Sequence, residues 1–267
     1  MRKINKIKIF VNDNEISKEI YKELNGKLIK NNFEICEEKY DLAIAIGGDG
    51  SFLRMIKKTN FNSDIYYVGI NTGTLGFLQE IKPNKIDEFI NNLNKNNYKE
   101  DNIGILETNI ITKNSSSKFY SLNEIVIREL DLNTVMLDIF IEKKYLETFN
   151  GDGILVSTSC GSSAYNLSFG GALIYNTLHT IQITPIAPLN SKAYRNLLTS
   201  IILPENKKIN IYPKENKNNI LITIDGENKK YKNVREIKTN IKNKRIKCLR
   251  MQDYNFINII NEKFLND

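Results

Sequence analysis

The residues best suited to chemistry lie between Asp41 and Ser51, in the stretch DLAIAIGGDGS. Gly47, Gly48 and Gly50 carry no side chains, so the backbone there can approach a bulky anion and point its N–H groups at it. The apolar spacing of Phe52, Leu53 and Ile56 predicts a helix directly afterwards, whose N-terminus adds partial positive charge. Asp49 sits in the middle of this turn. A carboxylate repels phosphate, so its presence calls for a metal to bind, a hydroxyl to hold or a proton to remove. Gly-Gly-Asp-Gly is also serviceable turn chemistry between any strand and helix. No Gly-Lys-Ser/Thr follows, and the spacing is not GxGxxG, so neither a Walker loop nor a dinucleotide fingerprint is present.

Four further places carry similar potential. Asn71–Leu78 (NTGTLGFL) is a second Gly/Thr-rich loop. Asn123-Glu124 interrupts the apolar run SLNEIVI. Adjacent residues of a strand point to opposite faces, so at least one of the pair is buried, and a buried carboxylate needs partners such as a ligand hydroxyl or a base edge. A strand end would account for the pair equally well. Gly151-Asp152-Gly153 repeats the Gly-Asp-Gly device. The hydroxyl-rich run Ser157-Thr158-Ser159 leads into Cys160-Gly161-Ser162-Ser163-Ala164-Tyr165-Asn166, where small donors and acceptors precede a tyrosine able to stack on a base. Gathered in so short a stretch, these residues predict a binding loop.

The elements that must position these groups fall into two textures. Lys6–Val11, Leu42–Ile46 and Ile65–Ile70 are predicted strands. Ser17 is placed as the cap of a helix reaching Lys30, and Phe52–Lys58 and Pro83–Leu93 are predicted helices. Strands alternating with helices indicate a parallel sheet, whose ligands bind beyond the strands' carboxyl ends, where both glycine loops fall. Polar Asn94-Lys95-Asn96-Asn97 marks a domain edge. Thereafter short apolar runs separated by turn residues predict mostly strands, with Ala164–Leu173 and Ser191–Leu198 as helical exceptions. Tyr254–Leu265 closes the chain as a helix. The reading is an α/β domain with a parallel sheet over residues 1–98, a β-rich, sandwich-like domain over 99–251, and a terminal helix within 252–267 that packs back on the first.

Composition narrows the function. The chain has 267 residues, 41% hydrophobic and 26% charged, as in a soluble globular protein. No apolar run approaches the ~20 residues of a membrane span. The basic N-terminus alternates apolar residues with lysine and reads as a strand rather than a targeting signal, which leads us to expect a cytoplasmic protein. The net charge is +7, but the lysines are scattered without interleaved aromatics, against a nucleic-acid partner. Cys36, Cys160 and Cys248 are far apart, and His179 is the single histidine, so a disulfide framework, a zinc site and a Ser-His-Asp triad are all unsupported.

GGDG after a short strand, NTGTLGFL, NE, GDG and GSSAYN followed by GG occur together and in order. With that set the whole chain resembles the NAD kinases, ATP- or polyphosphate-dependent. The resemblance implies transfer of the donor's terminal phosphate to the 2′-hydroxyl of the adenosine ribose of NAD, giving NADP. It implies that Asp49 activates that hydroxyl as base and that Gly47, Gly48 and Gly50 admit the donor phosphates. Gly50 is also assigned to the NAD contacts, with Phe77 lining the pocket. Asn123 and Glu124 would hold adenosine and its ribose, Asp152 the nicotinamide end, and Ser163, Ala164 and Tyr165 the adenine. The domain over 99–251 would then supply most NAD contacts. Magnesium on the phosphates and a homodimer or homotetramer complete what the family implies. No protein metal ligand, nucleic acid or membrane partner is expected.

The chain departs from the family's TPTGSTAY, reading Thr158-Ser159-Cys160-Gly161-Ser162-Ser163-Ala164-Tyr165. Ser159 stands for proline, Cys160 for a hydroxyl residue in the pocket wall, and Ser163 for threonine. Asn150 and Gly226 occupy positions where arginine and histidine occur in other members.

Overall fold

Leu42–Gly47 and Tyr66–Asn71 are buried at every position, the signature of strands covered on both faces. In the computed structural model, which describes residues 3–73, 76–131, 133–214 and 218–265, they form the middle of a parallel sheet. The chain divides into two compact units, one comprising Met1–Ile103 with Arg245–Asp267 and the other Gly104–Lys244. The crossings fall inside two long strands, and Asn94-Lys95-Asn96-Asn97 merely closes a helix.

The first unit contains β1 (Lys6–Val11), α1 (Glu15–Lys30), β2 (Glu34–Ile35), β3 (Leu42–Gly47), α2 (Asp49–Lys58), β4 (Tyr66–Asn71) and α3 (Ile86–Asn94). Its sheet runs β2-β1-β3-β4, with Lys247 and Cys248 of the chain's last strand beside β4, all parallel. Ile20, Leu24 and Leu28 of α1 and Ile86, Phe89, Ile90 and Leu93 of α3 bury their apolar stripes against Ile7, Leu42, Ile44 and Val68. Helix starts differ from the sequence reading by up to three residues. Asn14, not Ser17, caps α1, accepting the Ser17 N–H at 2.8 Å. Ser17 is itself fully buried inside the helix. α2 begins at Asp49 rather than Phe52, because a carboxylate in the first turn is favoured by the helix dipole.

The second unit is largely β, with β5 (Lys99–Thr112) entering it, then β6 (Ser116–Ser121), β7 (Glu124–Glu129), β8 (Val135–Ile141) and β9 (Lys144–Thr158). A short helix α4 (Tyr165–Ser168) precedes β10 (Thr180–Pro188), β11 (Ile201–Pro204), β12 (Ile209–Pro213), β13 (Ile220–Ile224), β14 (Glu227–Tyr231) and β15 (Val234–Arg250), which leaves it. β9 is the spine, with antiparallel pairing to β8, β7 and β10 along its length. β8, β12 and β13 alternate buried and half-exposed residues, the pattern of a sheet with one face on the core. Leu106, Ile127, Leu137, Phe149, Ile154, Ile183, Ile211, Ile222 and Ile237 lie in that core.

Two predicted helices are corrected. Only Tyr165–Ser168 of the 164–173 stretch is α-helical, and 191–198 forms bends and irregular chain. Gly170 at φ +73° ends the first. In the second, Asn196 exchanges hydrogen bonds with the Asn150 backbone, anchoring the segment to β9 in place of helical pairing.

The chain ends in α5 (Phe256–Phe264), in the first unit, capped by Asn255, whose side chain accepts from Ile257 and Asn258. Just before it, buried Arg250 pairs with Glu80 and Asp101, both at 3.3 Å. Glu80 also accepts the Met251 N–H at 2.6 Å. This network fastens the chain that follows the second glycine loop. Among the described residues no helix is long and apolar enough to cross a membrane.

Candidate active site

The glycine turn of the first unit is built around Asp49. Its Oδ2 accepts the Phe77 N–H at 3.1 Å and its Oδ1 the Leu78 N–H at 3.0 Å. The second glycine loop therefore grips the carboxylate from the backbone, leaving it about one-third exposed. Gly76 is required for this approach, since a Cβ there would lie 2.1 Å from Oδ1. Buried Gln79 donates from Nε2 to the Gly48 carbonyl at 2.8 Å, a second tie between the loops. At the N-cap of α2, Gly48 has no side chain to satisfy the first-turn N–H groups. That role is open to an anion.

The third hydrogen bond to the Asp49 carboxylate comes from the far end of the chain. Lys263 Nζ stands 3.4 Å from Oδ2 and 4.6 Å from the centroid of the Phe77 ring. Phe77, predicted as a pocket wall, is buried, with its ring 5.8 Å from that of Phe256 and 5.6 Å from that of Phe264. Thr74 and Leu75 of the second loop lie outside the described residues.

In the second unit Asn123 immediately precedes β7, Glu124 opens it, and the Cys160–Tyr165 loop is stitched to both. The Thr158 N–H donates to the Asn123 carbonyl at 2.9 Å, and its Oγ1 donates to the Leu122 carbonyl at 2.6 Å. Gly161 packs so closely that a Cβ would meet the Asn123 carbonyl oxygen at 2.2 Å. Asn123 and Glu124 are both buried. The Glu124 carboxyl is pushed up to about 8 by burial and by the negative charge of Asp225, against a hydrogen bond from the Tyr165 backbone. Its Oε2 has no hydrogen-bond partner among the described residues. A buried acceptor of this kind is available to a ligand hydroxyl.

Cys160 and Ser163 bound a 3₁₀ turn, and Ala164 leads into exposed Tyr165, whose ring lies edge-on to Phe169 at 4.7 Å. Asp152 stands exposed on β9 between Gly151 and Gly153. Among the described residues no three His, Cys, Asp or Glu side chains gather as a metal-ligand set.

The order of these pieces along the chain matches known proteins. Residues 6–98 match the family model for the ATP-NAD kinase N-terminal domain, and residues 122–246 that for the ATP-NAD kinase C-terminal domain. A NAD kinase of Finegoldia magna is 40% identical over 269 residues, covering 97% of each chain. The chain belongs to the NAD kinase family. Another family member, a NAD kinase of Streptococcus gordonii, is 34% identical over 98% of this chain and 96% of that one. The fold recurs in yeast NADH kinase complexed with NADH, with a TM-score of 0.83 at 22% identity over 100% of this chain and 90% of that one.

Two side chains, Asp225 and Arg128, escaped the sequence reading, and Asn166 was read only as the end of the loop motif. Asp225 and Gly226, both at positive φ, form the turn between β13 and β14. Asp225 accepts the N–H groups of Leu122, Asn123 and Glu124 at 2.9, 2.9 and 3.3 Å. An Asp-Gly pair between two strands is a hairpin signal, which could have located the turn but not its target. Arg128 reaches the Tyr165 hydroxyl at 3.4 Å and lies over Phe169. Asn166, fully buried, accepts from Gln182 at 3.0 Å and Thr184 at 2.6 Å, fixing the end of the loop. No local pattern marks Arg128.

Proposed function

We propose that this chain phosphorylates NAD, transferring the terminal phosphate of ATP to the 2′-hydroxyl of the adenosine ribose and releasing NADP and ADP. The observation that carries the reading is Asp49, a carboxylate held by two backbone N–H groups beside an uncapped helix N-terminus. Its oxygens are oriented without being consumed by another side-chain acid. In the transfer, Asp49 takes the 2′-hydroxyl proton as the hydroxyl oxygen bonds to phosphorus. The bond from phosphorus to the β-phosphate bridge breaks, and its electrons leave on ADP. Phosphoryl transfer depends chiefly on alignment and charge stabilisation, with a base to orient the nucleophile.

Gly47, Gly48 and Gly50 present backbone to the donor. Asn123 and Glu124 take the ribose and base, Tyr165 with Ser163 and Ala164 the adenine, and Asp152 the nicotinamide end. Cys160 forms part of the loop wall, and Gly50 adds an NAD contact. Phe77 supports the second loop from beneath. Magnesium arrives on the donor's phosphates and supplies charge neutralisation there. All the donor contacts in this scheme are to phosphate, so inorganic polyphosphate is a second donor to test. A homodimer or homotetramer and a cytoplasmic location, where both substrates are at hand, belong to the same reading.

The direct test is to incubate the purified protein with NAD, magnesium and either ATP or polyphosphate, and to measure NADP. Failure to form NADP with either donor refutes the reading.

A further inference from the structure

An aspartate inside a phosphate-binding turn faces an electrostatic difficulty. The donor brings several negative charges to a loop that already holds one. Its resolution lies in the first unit itself, on α5. Phe256 and Ile259 pack with Phe77 in one apolar cluster, and Phe264 stacks on the same ring. Lys82 pairs with Glu262 at 3.0 Å, about half-exposed. These contacts hold the last turn of α5 over the second glycine loop. They place the Lys263 ammonium over the Phe77 ring, 4.6 Å from its centroid, and 3.4 Å from Asp49 Oδ2.

We infer that Lys263 is a positioning residue for phosphoryl transfer. Its ammonium is the counter-charge that lets the Asp49 carboxylate and the donor's terminal phosphate occupy one glycine turn. The inference rests on the reading of Asp49 as the base. The pair Asp49⁻/Lys263⁺ is neutral, so an incoming polyphosphate meets no net repulsion. With the lysine gone, an unopposed carboxylate stands at the mouth of the donor loop. The site is partly exposed, so the effect is screened by salt and is largest at low ionic strength. A lysine suits this task because its ammonium rests over an aromatic face and carries three N–H donors, enough to serve the carboxylate and a phosphate together.

The test uses the full chain and four variants: Lys263→Met, Lys263→Arg, Asp49→Asn, and the Asp49→Asn/Lys263→Met double. Methionine keeps an unbranched stem and removes only the charge. ATP affinity is read by calorimetry at low salt, turnover by NADP formation, and folding by thermal midpoint. Lys263→Met weakens ATP binding and lowers kcat, each by about tenfold, the scale of one charge-assisted contact. KM for NAD and the thermal midpoint stay near wild type, and Lys263→Arg restores most of both losses. In the double variant the site is neutral again and ATP binding recovers. A merely structural lysine would leave the double variant as weak as Lys263→Met. Wild-type ATP binding and kcat in Lys263→Met, or no recovery in the double variant, overturn the inference. Asp49→Asn is read separately, since turnover surviving in that variant removes the base assignment itself.

Discussion

Asp225 binds the backbone of Glu124 and opposes the charge on its side chain. The same carboxylate that accepts the Glu124 N–H at 3.3 Å joins burial in holding the Glu124 carboxyl up at about 8. The hairpin turn therefore does two things to the Asn123-Glu124 pair. It fixes the chain direction entering β7, and it keeps the buried acid protonated until something else donates to it.

One consequence is a pH dependence of stability. An ordinary glutamate in the unfolded chain titrates near pH ~4.3, whereas folded Glu124 does so at about 8. The folded state holds its proton more tightly, so this group's contribution is complete below the unfolded value. It is lost as pH rises through 8, at up to about 1.4 kcal/mol per pH unit. Glu124→Gln removes the loss. Urea midpoints of the two proteins should draw apart in the variant's favour as pH rises from about 5 to about 8, and the gap should level off above that. Parallel curves would show that Glu124 is already ionised in the folded protein.

With Glu124 assigned to the NAD ribose as proposed, the same carboxyl should couple NAD binding to protons. At pH 7 it is mostly protonated, and ribose hydroxyls donating to it favour the charged form. NAD binding near neutrality should then release close to one proton. Calorimetry in buffers of different ionisation enthalpy measures this as a slope. That slope should vanish in Glu124→Gln. A flat response in the wild type would mean that the carboxyl meets NAD in its neutral form.

Asp49→Asn separates binding from chemistry. The carboxamide keeps an oxygen for one of the Phe77 and Leu78 N–H groups but cannot accept the hydroxyl proton. NAD affinity should stay close to wild type, while NADP formation drops about a hundredfold to ten-thousandfold, the range for loss of a general base. Substantial wild-type turnover in this variant would sink the base assignment.

Two glycines make a matched pair. Alanine at Gly161 drives a Cβ to 2.2 Å from the Asn123 carbonyl oxygen, whereas Gly26, inside α1, has nothing within 4 Å. Gly161→Ala should cost about 1–3 kcal/mol through the forced backbone shift and weaken NAD binding. Gly26→Ala should stabilise by about 0.5–1 kcal/mol, as alanine replaces glycine in a helix interior. Denaturant midpoints for both variants check the pair, and an innocuous Gly161→Ala would mean that the two segments are not tightly joined.

The linear order of residues was enough to determine whatever depends on neighbours. The apolar run Leu42–Ile46 and its glycine stop predict strand, turn and helix, because burial and φ freedom act over a few residues. The short apolar runs between turn residues predict a β-rich second part for the same reason. Five motifs, occurring together and in order, carry the resemblance to the family. The α2 start moved by three residues, because an aspartate in the first helical turn was read as part of the loop. Packing alone decided what meets across long separations. Asp225 lies 101 residues from Glu124 and Lys263 lies 214 from Asp49. No periodicity links such residues. A hairpin turn delivers the first to its partner, and a terminal helix docked on Phe77 delivers the second. The sequence thus names Asp49 as an acid set in a glycine turn, and only the tertiary structure brings the Lys263 ammonium to within 3.4 Å of it.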